Sequence, residues 1–577
     1  MEVKEEEKKD NKKEEKIFPN LSKESDEIIH STDLEEKEGS QKLNQLNQTD
    51  NSNKVSKQKK INLNYFKGKI ISFLSNKYNL IFLVILLLAF LIRMKYIGQA
   101  SMWNDAAVHL WYVIKVTKEP LFMFSQQYIL GDYFVPQTIM AFFYLFTKNA
   151  FLAGKIVAIV YSIIGIIFMY LLGSKLKNKL TGVIAAALLA FNHMFWFYGV
   201  RPLADSPLLV TTIILLYCMV QLEKTKKVSW GIASGIMFLA AMFTKVQSII
   251  FIFALLIYYL IFKRKIMLKN KEILFSWGIP VGFILIAHIL AKILFGVALL
   301  NRVFNLFLTT RGMPYGLEAL GMIKWIFSWY IIPFVILGLL FVLFYKKKEY
   351  YFSIILFLFY WLFFEINVDN TQDRYVLPLL SVGIILAAFA IEEIGNYIKL
   401  FSHKYLKLIV IFGIVLLVCW NYYQVGNPLI YNKSFSYVGH QEAGEWMKVN
   451  IPKEAPIFAG SYRYVRLFSE REFGGPGDSI KGTIWNLRSP DRYAENQTAF
   501  EEDLARLSKE SDVYLEIDRW EYTQPSWYYP ITEATFDYFV SLGFELVYVA
   551  QPEVITNDGL QQVPMIFIFK KNKVGNS

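Results

Sequence analysis

From Tyr78 onward the chain alternates long apolar runs with short polar punctuation. The runs have the length a helix needs to cross about 30 Å of hydrocarbon at roughly 1.5 Å per residue. The first is Tyr78 to Ile97, and others follow at 152–173, 181–198, 206–222, 228–244, 247–262, 273–297, 321–345, 351–367, 375–395 and 405–424. The pattern predicts a polytopic α-helical membrane protein of about eleven spans. The aromatic run Tyr133 to Phe146, which contains Pro136, is too short to cross and is expected to lie at the interface.

The punctuation carries a second pattern. Lys and Arg collect in every second loop, at 175–179, 224–227, 263–271, 346–348 and 399–404. Basic loops mark the cytoplasmic side, so the N-terminus is expected inside and the residues after about Tyr423 outside. Three parts follow: a charged, disordered cytoplasmic tail over residues 1–65, a transmembrane module over 66–424 with a first outer loop at 98–151, and an extracytoplasmic domain over 425–577. In the last, helix-like stretches near 439–450, 500–508 and 532–542 alternate with strand-like ones near 457–460, 512–518, 544–550 and 563–570, which predicts a small α/β domain. The expected location is the cell membrane.

Composition agrees with this, at 54% hydrophobic and 19% charged. The net charge of +12 is spread over the loops rather than gathered on one basic face, so no nucleic-acid partner is expected. Cys218 and Cys419 both lie in apolar runs and offer neither a disulfide framework nor a metal site.

Charged residues beside membrane spans are costly and invite a functional reading. Four groups fall in outer loops. Asp105 lies just past the first span with His109 one helical turn on; Asn104 or Asp105 also suits a helix cap. Arg201 and Asp205 share the hairpin Arg201-Pro-Leu-Ala-Asp205. Lys245 is the sole charge in a turn between two apolar spans, against the positive-inside trend, and simple snorkelling explains it as well as a functional role does. Asp373, Arg374 and Tyr375 precede a span containing Pro378. Arg302 and Arg311, in the loop 298–320, could close over a site. Carboxylates can take protons and fixed cations can hold phosphate.

These segments resemble the GT-C superfamily of membrane glycosyltransferases, which includes protein O-mannosyltransferases and lipid A aminoarabinose transferases. The resemblance rests on the acid in the first outer loop, the Arg201–Asp205 hairpin and Asp373-Arg-Tyr-Val-Leu-Pro378. Many members carry Asp-Glu in the first loop; here Asp105 is followed by Ala106. The resemblance implies a polyprenyl-phosphate sugar donor and a glycan, lipid or protein acceptor on the outer face. It also implies Asp105 as catalytic base, Arg374, Lys245 and Arg201 on the donor phosphate, and Asp205, Asp373, His109 and Tyr375 in support. It makes no cofactor certain and leaves a divalent metal possible. The absence of a Gly-rich phosphate loop agrees with a lipid-linked rather than nucleotide donor. A transporter or flippase for an anionic or lipid-linked substrate is the alternative.

Overall fold

The structure is a computed structural model that describes residues 73–98, 102–125, 128, 133–296, 318–367, 372–401, 404–474, 483–520 and 524–574. The chain forms two compact units, Met1–Ser75 and Asn76–Ser577, and of the first only residues 73–75 are described. The expected tail over residues 1–65, and Arg302 and Arg311 with most of their loop, lie outside the described residues.

In the second unit the helices are α1 (Lys77–Met94), α2 (Asn104–Lys118), α3 (Phe134–Thr147), α4 (Ala150–Leu176), α5 (Lys179–Phe191), α6 (His193–Tyr198), α7 (Asp205–Thr225) and α8 (Val228–Thr244). They continue as α9 (Ile250–Phe262), α10 (Lys271–Phe295), α11 (Glu318–Phe327), α12 (Ile332–Phe344), α13 (Tyr351–Asn367), α14 (Asp373–Val376), α15 (Leu380–Phe401) and α16 (Lys404–Ser434). Over its described residues, each apolar run read from the sequence is mostly helical.

Seven of these segments are individually long and apolar enough to cross a membrane, and the pair α11 and α12, bent by 101°, brings the number to eight if the two form one broken span rather than a re-entrant loop. Three shorter apolar helices, α5, α8 and α9, occupy the remaining expected positions, so about eleven spans is a plausible count. The interface candidate is the 14-residue helix α3, which packs beside α2 and α4.

The run 181–198 is not one continuous helix. Asn192 breaks it: its side-chain oxygen accepts from Phe195 N–H at 2.9 Å, starting α6, while its amide donates to the Ile326 carbonyl at 2.9 Å. A polar side chain buried in an apolar bundle has to satisfy itself, and here it does so by ending one helix and capping the next. Pro378 similarly introduces a 3-10 turn, Leu377–Leu379, between α14 and α15.

The spans α7 and α15 are buried all round and form the centre, whereas α1, α10 and α16 are mostly exposed on their outer faces. Small residues allow the close approaches. A Cβ on Gly182 of α5 would lie 2.5 Å from the Tyr170 carbonyl, and one on Gly338 of α12 would lie 2.1 Å from the Leu386 carbonyl.

After α16 the chain builds a layered domain from α17 (His440–Asn450), β1 (Ile457–Ala459), α18 (Tyr462–Ser469), β2 (Ile484–Asn486), α19 (Gln497–Leu507), β3 (Val513–Asp518), α20 (Glu533–Ser541), β4 (Glu545–Ala550), a hairpin of β5 (Glu553–Thr556) and β6 (Gly559–Gln562), and β7 (Ile566–Lys571). The sheet order is β2-β1-β3-β7-β4, parallel across β2, β1 and β3 and antiparallel at β7 and β4. Strand alternation sorts the side chains: Phe458, Phe567 and Phe569 pack with Phe500 of α19 and Phe539 of α20, while Ile457, Ala459, Ile566 and Ile568 pack with Met447 of α17 and Val465 of α18. Helix α18, β2 and the β5–β6 hairpin were not among the expected elements.

Candidate functional site

Asp105 sits in the first turn of α2, but it does not cap it: the cap position is Trp103 and no side chain completes it. Its carboxylate instead joins two distant segments. Arg374 Nη1 donates to Asp105 Oδ2 at 2.5 Å, and Arg463 Nη1 donates to Oδ1 at 3.0 Å. Arg374 comes from α14 and Arg463 from α18 of the C-terminal domain, so both oxygens are held by guanidinium groups. Burial works to raise the Asp105 pKa, but Arg374, with lesser help from His109 and Arg463, outweighs it and holds the carboxyl below its ordinary value.

The hairpin acid and base do not pair with each other. Asp205, in the first turn of α7, takes Lys245 Nζ at 2.7 Å, and both side chains are almost fully buried. Helix geometry favours this: the acid lies at the positive N-terminal end of α7 and the lysine at the C-cap of α8. Lys245 also lies 4.7 Å from the centre of the Tyr375 ring. Snorkelling therefore does not describe Lys245.

Asp373 acts locally. Its Oδ1 accepts from Tyr198 Oη at 2.6 Å and from the Arg374 backbone N–H at 2.7 Å, tying α14 to α6. Tyr375 is anchored through its carbonyl, which accepts from Tyr360 Oη at 2.9 Å, and Tyr360 in turn accepts from Gln247 at 2.9 Å.

His109 is buried against Tyr133, with ring centres 3.9 Å apart, and its Nδ1 lies 3.1 Å from Gln137 Nε2. Burial pushes its pKa down to about 4. Asp105, Asp205, Lys245 and Arg374 all lie near enough to act electrostatically on it, which places these four charges around one spot.

Arg201 is not brought into this group. Its guanidinium lies 3.7 Å from the Phe197 ring centre and 5.7 Å from that of Trp103, and it donates to the Phe197 carbonyl at 2.7 Å. It props the hairpin from behind.

Sequence reading missed Arg463, Tyr198, Gln137 and Tyr360. For Arg463 a signal existed: in Tyr462-Arg-Tyr-Val-Arg-Leu467, Tyr464, Val465 and Leu467 are buried, while Arg463 and Arg466 fall one turn apart on the other face. That face docks on α2. Arg466 lies 3.3 Å from the Trp111 ring centre and bonds Glu472 at 2.7 Å, and Lys115 reaches Glu472 at 2.6 Å. Tyr464 Oη donates to the Met102 carbonyl at 3.1 Å.

Among the described residues, no three His, Cys, Asp or Glu side chains gather as a metal site. The carboxylate best placed to contribute, Asp105, already has each oxygen on an arginine. The described residues offer no ligand set that fits a divalent cation.

A family model described as dolichyl-phosphate-mannose-protein mannosyltransferase matches residues 134–291. Among solved structures, ArnT from Cupriavidus metallidurans bound to undecaprenyl phosphate is similar with a TM-score of 0.59 at 10% identity, over 86% of this chain and 98% of that one. The archaeal oligosaccharyltransferase AglB from Archaeoglobus fulgidus, in complex with an inhibitory peptide and a dolichol-phosphate, is similar with a TM-score of 0.55 at 12% identity, over 82% of this chain and 80% of that one. No curated protein matches by sequence. At such identities the structural likeness speaks to fold, and the family model points to the same superfamily that the motifs resemble.

Proposed function

We propose that this chain, a GT-C-type membrane glycosyltransferase by fold and family model, moves a sugar from a polyprenyl-phosphate donor to a hydroxyl of a glycan, lipid or protein acceptor at the extracytoplasmic face. The observation that carries the reading is the contact of Asp105 with Arg374 at 2.5 Å. Segments 269 residues apart bring one proton acceptor and one phosphate-binding cation to the same point, with the Asp205–Lys245 pair close by.

The chemistry follows from what each group can do. Asp105 takes the proton of the acceptor hydroxyl as its oxygen attacks the anomeric carbon. The bond from that carbon to the phosphate oxygen breaks, its electron pair leaves with the lipid phosphate, and the anomeric configuration inverts. Arg374 opposes the charge that grows on the leaving phosphate, and Lys245 adds to that field from its seat on Asp205. An arriving phosphate competes with Asp105 for Arg374, so donor binding itself loosens the carboxylate for proton transfer. Tyr375 and Asp373 hold Arg374 in place, and neutral His109 walls the site. Arg201 takes no part in holding phosphate in this scheme.

The test is a reconstituted assay with a panel of polyprenyl-phosphate sugars, following release of lipid phosphate. Asp105→Asn is expected to keep expression and fold but lower turnover by about two to four orders of magnitude. Arg374→Ala is expected to weaken donor use. Near-normal turnover of Asp105→Asn would remove it as the base, and no turnover by the unmodified protein on any donor would overturn the reading.

A further inference from the structure

A cavity of about 460 Å³ opens between α1, α5 and α16, away from the Asp105 site. Its walls are apolar, with Ile85 and Ile92 of α1 facing Val415 and Tyr423 of α16 and Ala187 of α5 at the back. One helical turn beyond Ile92 and Tyr423, a second cavity is lined by Lys95, Tyr96, Asn427 and Tyr431. Residues three and four apart share a helix face, so the two cavities follow one another along the same faces of α1 and α16, apolar first and polar at the end of α1.

The polar end is cationic and unbalanced. Lys95 donates to Asn427 Oδ1 at 3.0 Å, and Tyr96 Oη donates to the same oxygen at 2.7 Å. Among the described residues no carboxylate pairs with Lys95. Asn427 spends its oxygen on these two donors and keeps its amide N–H groups for something else. The remaining N–H groups of Lys95, the Asn427 amide and the Tyr431 hydroxyl line one place, and among the described residues no carboxylate answers them.

The length of the apolar part narrows the occupant. From Ile81 to Ile92 along α1 the groove runs about 17 Å at roughly 1.5 Å per residue. That is close to one leaflet, about half of the 30 Å hydrocarbon layer. A long isoprenoid would overrun it, whereas an acyl chain of that leaflet would fill it.

We propose that this groove is a binding site for one anionic glycerophospholipid of the leaflet on the Asp105 side, its phosphate on Lys95 and Asn427 and one acyl chain between α1 and α16. The lipid would fasten the otherwise exposed first span to the last one. It would do so just before the chain turns into α2, which carries Asp105.

The test uses the full-length protein, delipidated and then offered phosphatidylglycerol or phosphatidylcholine of the same acyl chains, with retained lipid read by native mass spectrometry. Phosphatidylglycerol should be retained about five-fold more, the effect of one lysine near an anionic head group. Lys95→Gln should abolish that preference. Leu416→Trp, at a lipid-facing position lining the apolar part, should lower retention of both lipids. Equal retention by the unmodified protein, or a preference that survives Lys95→Gln, would overturn the proposal. Displacement of bound phosphatidylglycerol by an equimolar polyprenyl phosphate would also overturn it, giving the groove to an isoprenoid.

Discussion

Asp105 is poised between two opposing influences. Burial would protonate it, but Arg374 and Arg463 keep it ionised. A lowered pKa means that the carboxylate stays charged as pH falls, so the acid limb of turnover should lie below the ordinary carboxylate range. The stability its ion pairs contribute is likewise present above the unfolded-state pKa and lost as pH falls through the folded one. Arg463→Gln removes one of the two cations. The acid limb of kcat/KM against pH should then move to higher pH, while Arg463→Lys should move it less; an unmoved limb would show that Arg463 does not act on Asp105. His109 is the converse case. With its pKa pushed to about 4, it is neutral at pH 7, so His109→Gln should alter the profile near pH 6–7 little, and a pH–rate comparison of the two proteins checks this.

At the scale of elements, the site depends on helix ends being brought side by side. Asp205 opens α7 and Lys245 closes α8, and their bond at 2.7 Å is shielded from water. Lys245→Met leaves Asp205 buried and unpaired, which costs about 3–5 kcal/mol. Adding Asp205→Asn should recover most of that in a thermal unfolding measurement in detergent, yet leave donor use impaired. Recovery of both together would make the pair purely structural. The neighbouring contact of α4 with α5 relies on Gly182, where a Cβ would lie 2.5 Å from a carbonyl oxygen. Gly182→Val is expected to lower the unfolding temperature, because two helix backbones would have to separate. Helix α18 belongs to this scale too: its Arg463 and Arg466 face makes the C-terminal domain part of the site rather than an appendage.

At the scale of the whole molecule, the cluster of Asp105, Asp205, Lys245 and Arg374 is gathered apart from a second set, Lys177 with Glu393 at 2.6 Å and Lys263 with Glu223 at 2.9 Å, which comes from the basic loops. If the basic loops are cytoplasmic, a cysteine at Lys448 should react with an impermeant maleimide on intact cells and one at Lys226 should not; the opposite result would invert the orientation. Both native cysteines are buried and give little background. The chain by itself determined where the long apolar helices form and which charges lie near their ends, because span length, hydropathy and loop charge are local properties that survive any lateral arrangement. It also carried the acids and the arginine of the site in recognisable motifs. Only the tertiary structure decided which cation meets which acid. Lys245 rather than Arg201 pairs with Asp205, Arg374 and Arg463 share Asp105, and Arg201 turns to Phe197. Such choices depend on which helices become neighbours, and that is set by close packing at positions such as Gly182 and Gly338 and by breaks such as Asn192, whose effects reach residues far away in the chain.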